Sequence, residues 1–274
     1  MLFPLRDDNP ATRTPFATFL LIAVNVLVML WLSQQPPLEE RRIVVEHGFI
    51  PVRIEQLSNP KLVVDVPLTP AAERPDRPRF VRQQQPREIV RLAPAPLEIL
   101  LTILTTMFLH GGWMHVAGNM WFLWIFGNNV EDRLGPALYL GFYLVGGVLA
   151  TSCHWAYDPH STVPVIGASG AVATILGAYA VAFPQAKVKT LVFFGLFTII
   201  DIPALVWLGL WLGGELLSAV FVGKDLTVAV WAHIGGFAAG AMLMPILTFG
   251  TSPHGTSWED EIKRHFSFPP PDGR

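Results

Sequence analysis

The chain of 274 residues has one cysteine, Cys153, and only 15% charged side chains. A single cysteine in an apolar run cannot form an internal disulfide, so neither a disulfide framework nor a thiolate-held metal is expected. Soluble domains carry about 25% charged residues, so the shortfall points to a membrane protein. Neither sign of charge dominates: 19 basic residues stand against 21 acidic ones. This removes nucleic acid as an expected partner. The sequence also lacks the H-E-x-x-H pair of a zinc-dependent hydrolase and any GxGD-type aspartyl site. No metal and no cofactor are expected.

Hydrophobic side chains fill the chain instead, at 51% of the total. They concentrate in six stretches, about 16–34, 113–130, 136–156, 167–183, 200–222 and 228–249. Most approach the ~20 residues needed to cross a bilayer. The expected fold class is therefore an all-α membrane protein, a bundle of six transmembrane helices in contact with lipid. The run from Phe16 to Ser33 has no A-x-A-like cleavage site and reads as a retained first helix. Before the fifth span the apolar residues run from Thr190 to Val222, broken by Asp201 and Pro203. Thr190–Ile200 is predicted as an interfacial or partly embedded connection, with Pro203 in the first turn of the helix.

Five segments follow: an N-terminus at 1–15, the first helix at 16–34, an insert at 35–99, a helical core at 100–250 and a polar tail at 251–274. The insert holds 11 of the 24 prolines and ten of the 19 basic residues. Its stretch Pro67–Arg91 predicts flexible, poorly packed chain. With both termini cytoplasmic, the inside segments carry Arg6, Arg13, Arg133, Lys187, Lys189, Lys263 and Arg264, and the short outside loops carry only Lys224. The Arg-rich insert would lie outside, but it exceeds the ~60-residue length beyond which loop charge stops setting topology.

In this arrangement helices two, four and six run from outside to inside. His115, Ser169 and His233 each lie near the start of one of them, so all three are expected at one depth below the outer mouth. Asn119, four residues after His115, shares its helix face. Ser169 opens the fourth helix between Gly167 and Gly170, where unpaired backbone N–H groups can hold an oxyanion. A hydroxyl needs a base to become a nucleophile, and His233 is the candidate. Ser169, Ala173, Gly177 and Ala180 form one small-residue stripe; His233, Gly236 and Gly240 form another, which predicts close approach of the two helices. Asp158, Asp201 and Glu215 offer no obviously placed acid, so a Ser–His dyad is preferred. His110 and His154 read as interfacial or core histidines, and Glu131 and Arg133 as an ion pair or loop cap.

Phe108-Leu109-His110-Gly111-Gly112-Trp113-Met114-His115-Val116-Ala117-Gly118-Asn119, Glu131-Asp132-Arg133-Leu134-Gly135, Gly167-Ala168-Ser169-Gly170 and Ala232-His233-Ile234-Gly235-Gly236 with Gly240 together resemble the rhomboid family of intramembrane serine proteases. The resemblance spans roughly residues 100–250. It implies Ser169 as nucleophile, His233 as general base, and an oxyanion hole made by His115, Asn119 and the Ser169 backbone N–H. Glu131 and Arg133 would match a structural Glu-x-Arg motif. Substrates would be membrane-anchored proteins cut near the outer end of their transmembrane helix, and family style implies a bacterial inner membrane. The chain departs from some members at Ala173, where they place an aromatic residue against the catalytic histidine, and in its long insert. A client-binding pseudoprotease and a small transporter or channel are the alternative readings. The sequence leaves oligomeric state open.

Overall fold

The computed structural model of the chain describes residues 2–9, 11–68, 88–193, 197–221 and 229–249. The tail at 251–274, Lys224 and most of the Pro67–Arg91 stretch lie outside the described residues. Among those described, the elements are β1 (Leu2–Asp7), α1 (Phe16–Leu32), α2 (Pro37–His47), a 3-10 turn (Pro51–Leu57), β2 (Val64–Pro67), β3 (Ile89–Leu92) and α3 (Pro96–Thr105). There follow α4 (Trp113–Leu134), α5 (Pro136–Tyr157), α6 (Ser169–Ala182), β4 (Lys187–Phe193), β5 (Phe197–Pro203), α7 (Ala204–Phe221) and α8 (Val230–Leu247). The molecule is mostly helical. Two small sheets, of three and two strands, correct the all-α expectation.

Among the described residues three helices are long and apolar enough to cross a membrane: α5, α7 and α8. A fourth span results if Pro96–Phe108 and α4, which meet at 79°, are one broken crossing. The remaining apolar helices, α1 and α6, are shorter, at 17 and 14 residues. The central helix is α6, where every residue from Gly170 to Ala180 is buried. Phe126, Tyr139 and Tyr143 fill the space around it, beside its own Tyr179.

The apolar run before α7, expected as an interfacial or partly embedded connection at Thr190–Ile200, is a pair of antiparallel strands. Its strands are rich in β-branched residues, and Val188, Thr190 and Val192 turn inward at every second position, the strand period. Pro203 closes β5, and α7 starts one residue later. β1 adds antiparallel to β4. It is pinned to α4 by the Trp121 indole, which donates to the Pro4 carbonyl at 2.7 Å, and by Phe3 stacked on Trp121 at 5.4 Å. Asp7 ends the strand under the Tyr179 hydroxyl and the Asn129 amide, each donating to its Oδ2 at 2.6 Å. Burial pushes the Asp7 carboxyl up from its ordinary 3.8 to about 6, against the lowering effect of the Tyr179 hydrogen bond.

Between pH 4 and 6 the folded state therefore holds a proton at Asp7 that the unfolded chain has released. By linkage, stability falls as pH rises through that window and levels off above it. Thermal unfolding midpoints across pH 4–7 should show this fall in wild type, and Asp7→Asn should remove the share due to Asp7. Parallel profiles for the two proteins would contradict this.

At the start of α1 the chain offers no side-chain cap, because Pro15 occupies the N-cap. Glu131 on α4 supplies one. Its Oε1 accepts from Ala17 N at 2.9 Å, and its Oε2 accepts from Thr18 N at 2.7 Å and Thr18 Oγ1 at 2.8 Å. An anion at a helix N-terminus satisfies orphan donors and opposes the helix dipole. Glu131 thus caps the start of a distant helix, where an ion pair or loop cap is expected from the sequence; Arg133 lies in the last turn of α4. Glu131→Ala strands buried donors, and a loss of about 3 kcal/mol or more is expected. Denaturation in micelles measures it, with a smaller loss for Glu131→Gln.

The insert is folded where it is described. β2 and β3 pair antiparallel, with Val64 opposite Leu92 and Val66 opposite Val90. These four side chains join Val45, Ile50 and Leu68 in a separate small core. The buried Gln56 carboxamide donates to Leu62 O and Leu92 O, both at 2.9 Å, and so ties the 3-10 turn to that core. The ends of Pro67–Arg91 thus lie in a paired hairpin, unlike the loose chain expected, and 69–87 fall outside the described residues.

Candidate active site

The small folded insert holds the loop that leads to Ser169. Phe49 N donates to Val165 O at 3.2 Å and Val165 N donates back to Phe49 O at 2.8 Å, while Val52 N donates to Ser161 O at 3.1 Å. From the other side Thr106 binds the same loop twice: its hydroxyl donates to Val165 O and its carbonyl accepts from Gly167 N at 2.9 Å. Two segments distant in sequence therefore fix the backbone just before the nucleophile candidate.

Gly167 is required here for two reasons. Its φ is +124°, a region that disfavours any Cβ. A Cβ would also lie 2.8 Å from His115 Nε2 and 3.6 Å from Ser169 Oγ. The same geometry places the His115 ring beside the serine. Gly111 N donates to His115 Nδ1 at 3.3 Å, so the ring proton sits on Nε2, the nitrogen turned toward Gly167. His115 thus presents a donor at the site.

Ser169 is the first residue of α6 and Ala168 its N-cap. The first-turn N–H groups of a helix have no intrahelical acceptor. That of Ala168 reaches His110 Nε2 at 3.4 Å. His110 is fully buried and packs edge-on against His115 with ring centres 5.0 Å apart. It is the core histidine expected, and it supports both the loop and His115.

An open cavity of ≈ 590 Å³ is lined by Ser169, His115, Asn119, His154, Trp211, Glu215 and His233, among others. All four residues expected to carry chemistry therefore share one cavity. Among the described residues, Asn119 Nδ2 and His233 Nε2 are both buried without a hydrogen-bond partner. One is a donor suited to an oxyanion. The other is a ring nitrogen suited to take a proton. No hydrogen bond joins Ser169 to His233 Nε2 in this structure.

Tight contact of α6 and α8 brings the two helices' residues together. A Cβ at Gly236 would collide with Gly170 O, one at Gly240 with Thr174 O, and one at Gly177 with Phe237 O. The small-residue face of α8 is the one predicted. On α6 the facing positions are Gly170, Thr174 and Gly177, so that stripe runs beside the predicted Ser169–Ala173 line.

The principal residue missed from the sequence is Glu215. Its Oε2 lies 3.0 Å from His233 Nδ1. It is the one charged side chain in α7, and an isolated acid within an apolar span is a signal of function. Ala173 is buried and leaves the histidine ring to α7: the Trp211 ring centre lies 6.0 Å from that of His233. Asp201 is distant from this chemistry, paired with Lys189 at 3.1 Å across the β4–β5 hairpin. Among the described residues no group of three or more His, Cys, Asp or Glu could hold a metal ion.

The fold and the cavity define a membrane-embedded helical protein in which a serine, an amide and histidines line one cavity. The family model of the rhomboid domain matches residues 98–249, more than half of the chain, and the chain belongs to the rhomboid family. It is 32% identical over 168 residues to Rhomboid-like protein 11, chloroplastic, of Arabidopsis thaliana, covering 58% of this chain and 56% of that protein. It is 32% identical over 160 residues to RHOMBOID-like protein 12, mitochondrial, of the same plant, covering 52% and 45%. A third relative is Presenilin-associated rhomboid-like protein A, mitochondrial, of Danio rerio, 32% identical over 96 residues, covering 34% and 25%. The matches span between a quarter and just over half of these relatives' lengths. Their names place them in mitochondria or chloroplasts, which gives no support to the bacterial inner membrane expected from the sequence.

Proposed function

We propose that this chain is an intramembrane serine endopeptidase that cuts membrane-anchored proteins near the outer end of a transmembrane helix. The observation that carries the reading is the cavity that Ser169 shares with His233 and Asn119, whose Nε2 and Nδ2 are buried without partners among the described residues. His233 takes the Ser169 proton as Oγ attacks the scissile carbonyl, then returns it to the leaving amine. His115 Nε2–H, Asn119 Nδ2–H and the Ser169 backbone N–H hold the oxyanion. The reading includes six spans, formed by α1, α4, α5, α6, α7 and α8, with both termini on one side. Two pairings support this parity: β1 with the α6–α7 hairpin, and the α1–α4 insert with the α5–α6 loop.

The test is cleavage of a single-span reporter reconstituted with the purified protein in liposomes. Wild type should release a fragment cut near the outer end of the reporter helix. Cleavage that persists in Ser169→Ala would overturn the serine mechanism, and intact reporter with a folded wild type would favour a client-binding role.

A further inference from the structure

The proposed peptidase reading uses Ser169 and His233, and a third group touches neither substrate nor serine. We infer that Glu215 is a positioning residue that holds His233 in its reactive tautomer and balances the charge the ring acquires; the inference rests on that reading. The contact is direct, Glu215 Oε2 to His233 Nδ1 at 3.0 Å, between side chains 19% and 8% exposed. An ionised carboxylate can only accept, so the ring must donate from Nδ1 and keep its lone pair on Nε2. Nε2 is buried and has no hydrogen-bond partner among the described residues. Without such a contact, a neutral imidazole could carry its proton on Nε2 and would then be no base toward Ser169.

A carboxylate in a membrane span is unfavourable unless it is paired or faces water. Among the described residues Glu215 has one hydrogen-bond partner, His233. Trp211, one turn earlier on α7, packs near the same ring. α7 therefore supplies both a hydrogen-bond partner and a neighbouring ring to the histidine.

In the acyl-transfer step the Ser169 Oγ–H proton passes to His233 Nε2 as the Oγ–carbon bond forms and the carbonyl electron pair moves to oxygen. Collapse of that intermediate breaks the carbon–nitrogen bond, and the amine leaves with the proton from Nε2. Water repeats the sequence to release the acid. Glu215 exchanges no proton in these steps and faces the transient imidazolium.

The test is labelling of Ser169 in the full chain, in micelles, by a fluorophosphonate at several concentrations. The maximal rate and the probe's half-saturating concentration are then read separately. Glu215→Gln keeps the shape of the side chain, so a merely structural role would leave both unchanged. The inference predicts a maximal rate lowered by ~10² or more, with half-saturation within about threefold and an unchanged unfolding midpoint. A wild-type maximal rate in Glu215→Gln would overturn it. If that variant does not fold, the wild type decides by ¹⁵N NMR of histidine-labelled protein, with the His233 signal assigned from His233→Ala. A proton on Nδ1 supports the inference and one on Nε2 overturns it. A folded wild type that neither labels nor cleaves would count against the peptidase reading alone, since the tautomer measurement does not depend on it.

Discussion

Ser169→Ala should lower reporter cleavage by about four orders of magnitude or more, and His233→Ala should do nearly as much. Each decade corresponds to ~1.4 kcal/mol of transition-state stabilisation, so the loss amounts to at least ~5 kcal/mol. The size follows from the chemistry. Without Oγ there is no covalent route, and without the ring the hydroxyl stays protonated and weakly nucleophilic. Because the two act as one unit, the double variant should be no worse than the poorer single one. Additive losses would mean that the residues work in separate steps. Ser169 is a partly exposed helix-start residue facing the cavity, so its truncation should leave the unfolding midpoint close to that of wild type.

Gly240→Leu should have the largest effect on the fold. A Cβ there collides with Thr174 O and comes within 3.0 Å of Ala178 N. Both are backbone atoms of the central helix, so no rotamer change relieves the clash and α8 must move away from α6. In a bilayer such helices are held by close packing, because lipid is as apolar as the side chains it replaces. A loss of more than about 4 kcal/mol is expected, the range reserved for forced repacking of a core. His233 rides on the same helix, so Ser169 chemistry should fail in whatever fraction still folds. Gly141→Ala is the control: nothing lies within 4 Å of a Cβ at that position in α5. It should stay within about 1 kcal/mol of wild type, with any change toward stability. Unfolding of both variants in the same micelles makes the comparison. Equal midpoints would contradict the packing account.

The candidate site residues are legible in the sequence because helix direction sets depth. Once alternate apolar runs are assigned opposite directions, His115, Ser169 and His233 must share a level, and they do line one cavity. Glu131 is legible as a structural residue, although its partner at the start of α1 is more than 110 positions away in sequence. Other features depend on information that periodicity does not hold. A continuous apolar run reads alike as strand or helix, so the β4–β5 hairpin is hidden until β1 pairs with it. The insert's core is split between residues before and after a polar run of prolines and arginines, and neither half resembles a core alone. Glu215 shows how one boundary bears on another. Its level in the bundle follows from where α7 starts, and that start is set by where β5 ends at Pro203.

The central claim is that Ser169 is a nucleophile activated by His233. The most direct measurement incubates the folded protein in membranes with a fluorophosphonate and locates the adduct by mass spectrometry of peptides. The account predicts an adduct on Ser169 in wild type and its loss in His233→Ala. A folded wild type without that adduct, or a His233→Ala variant labelled on Ser169 at the wild-type rate, would contradict it.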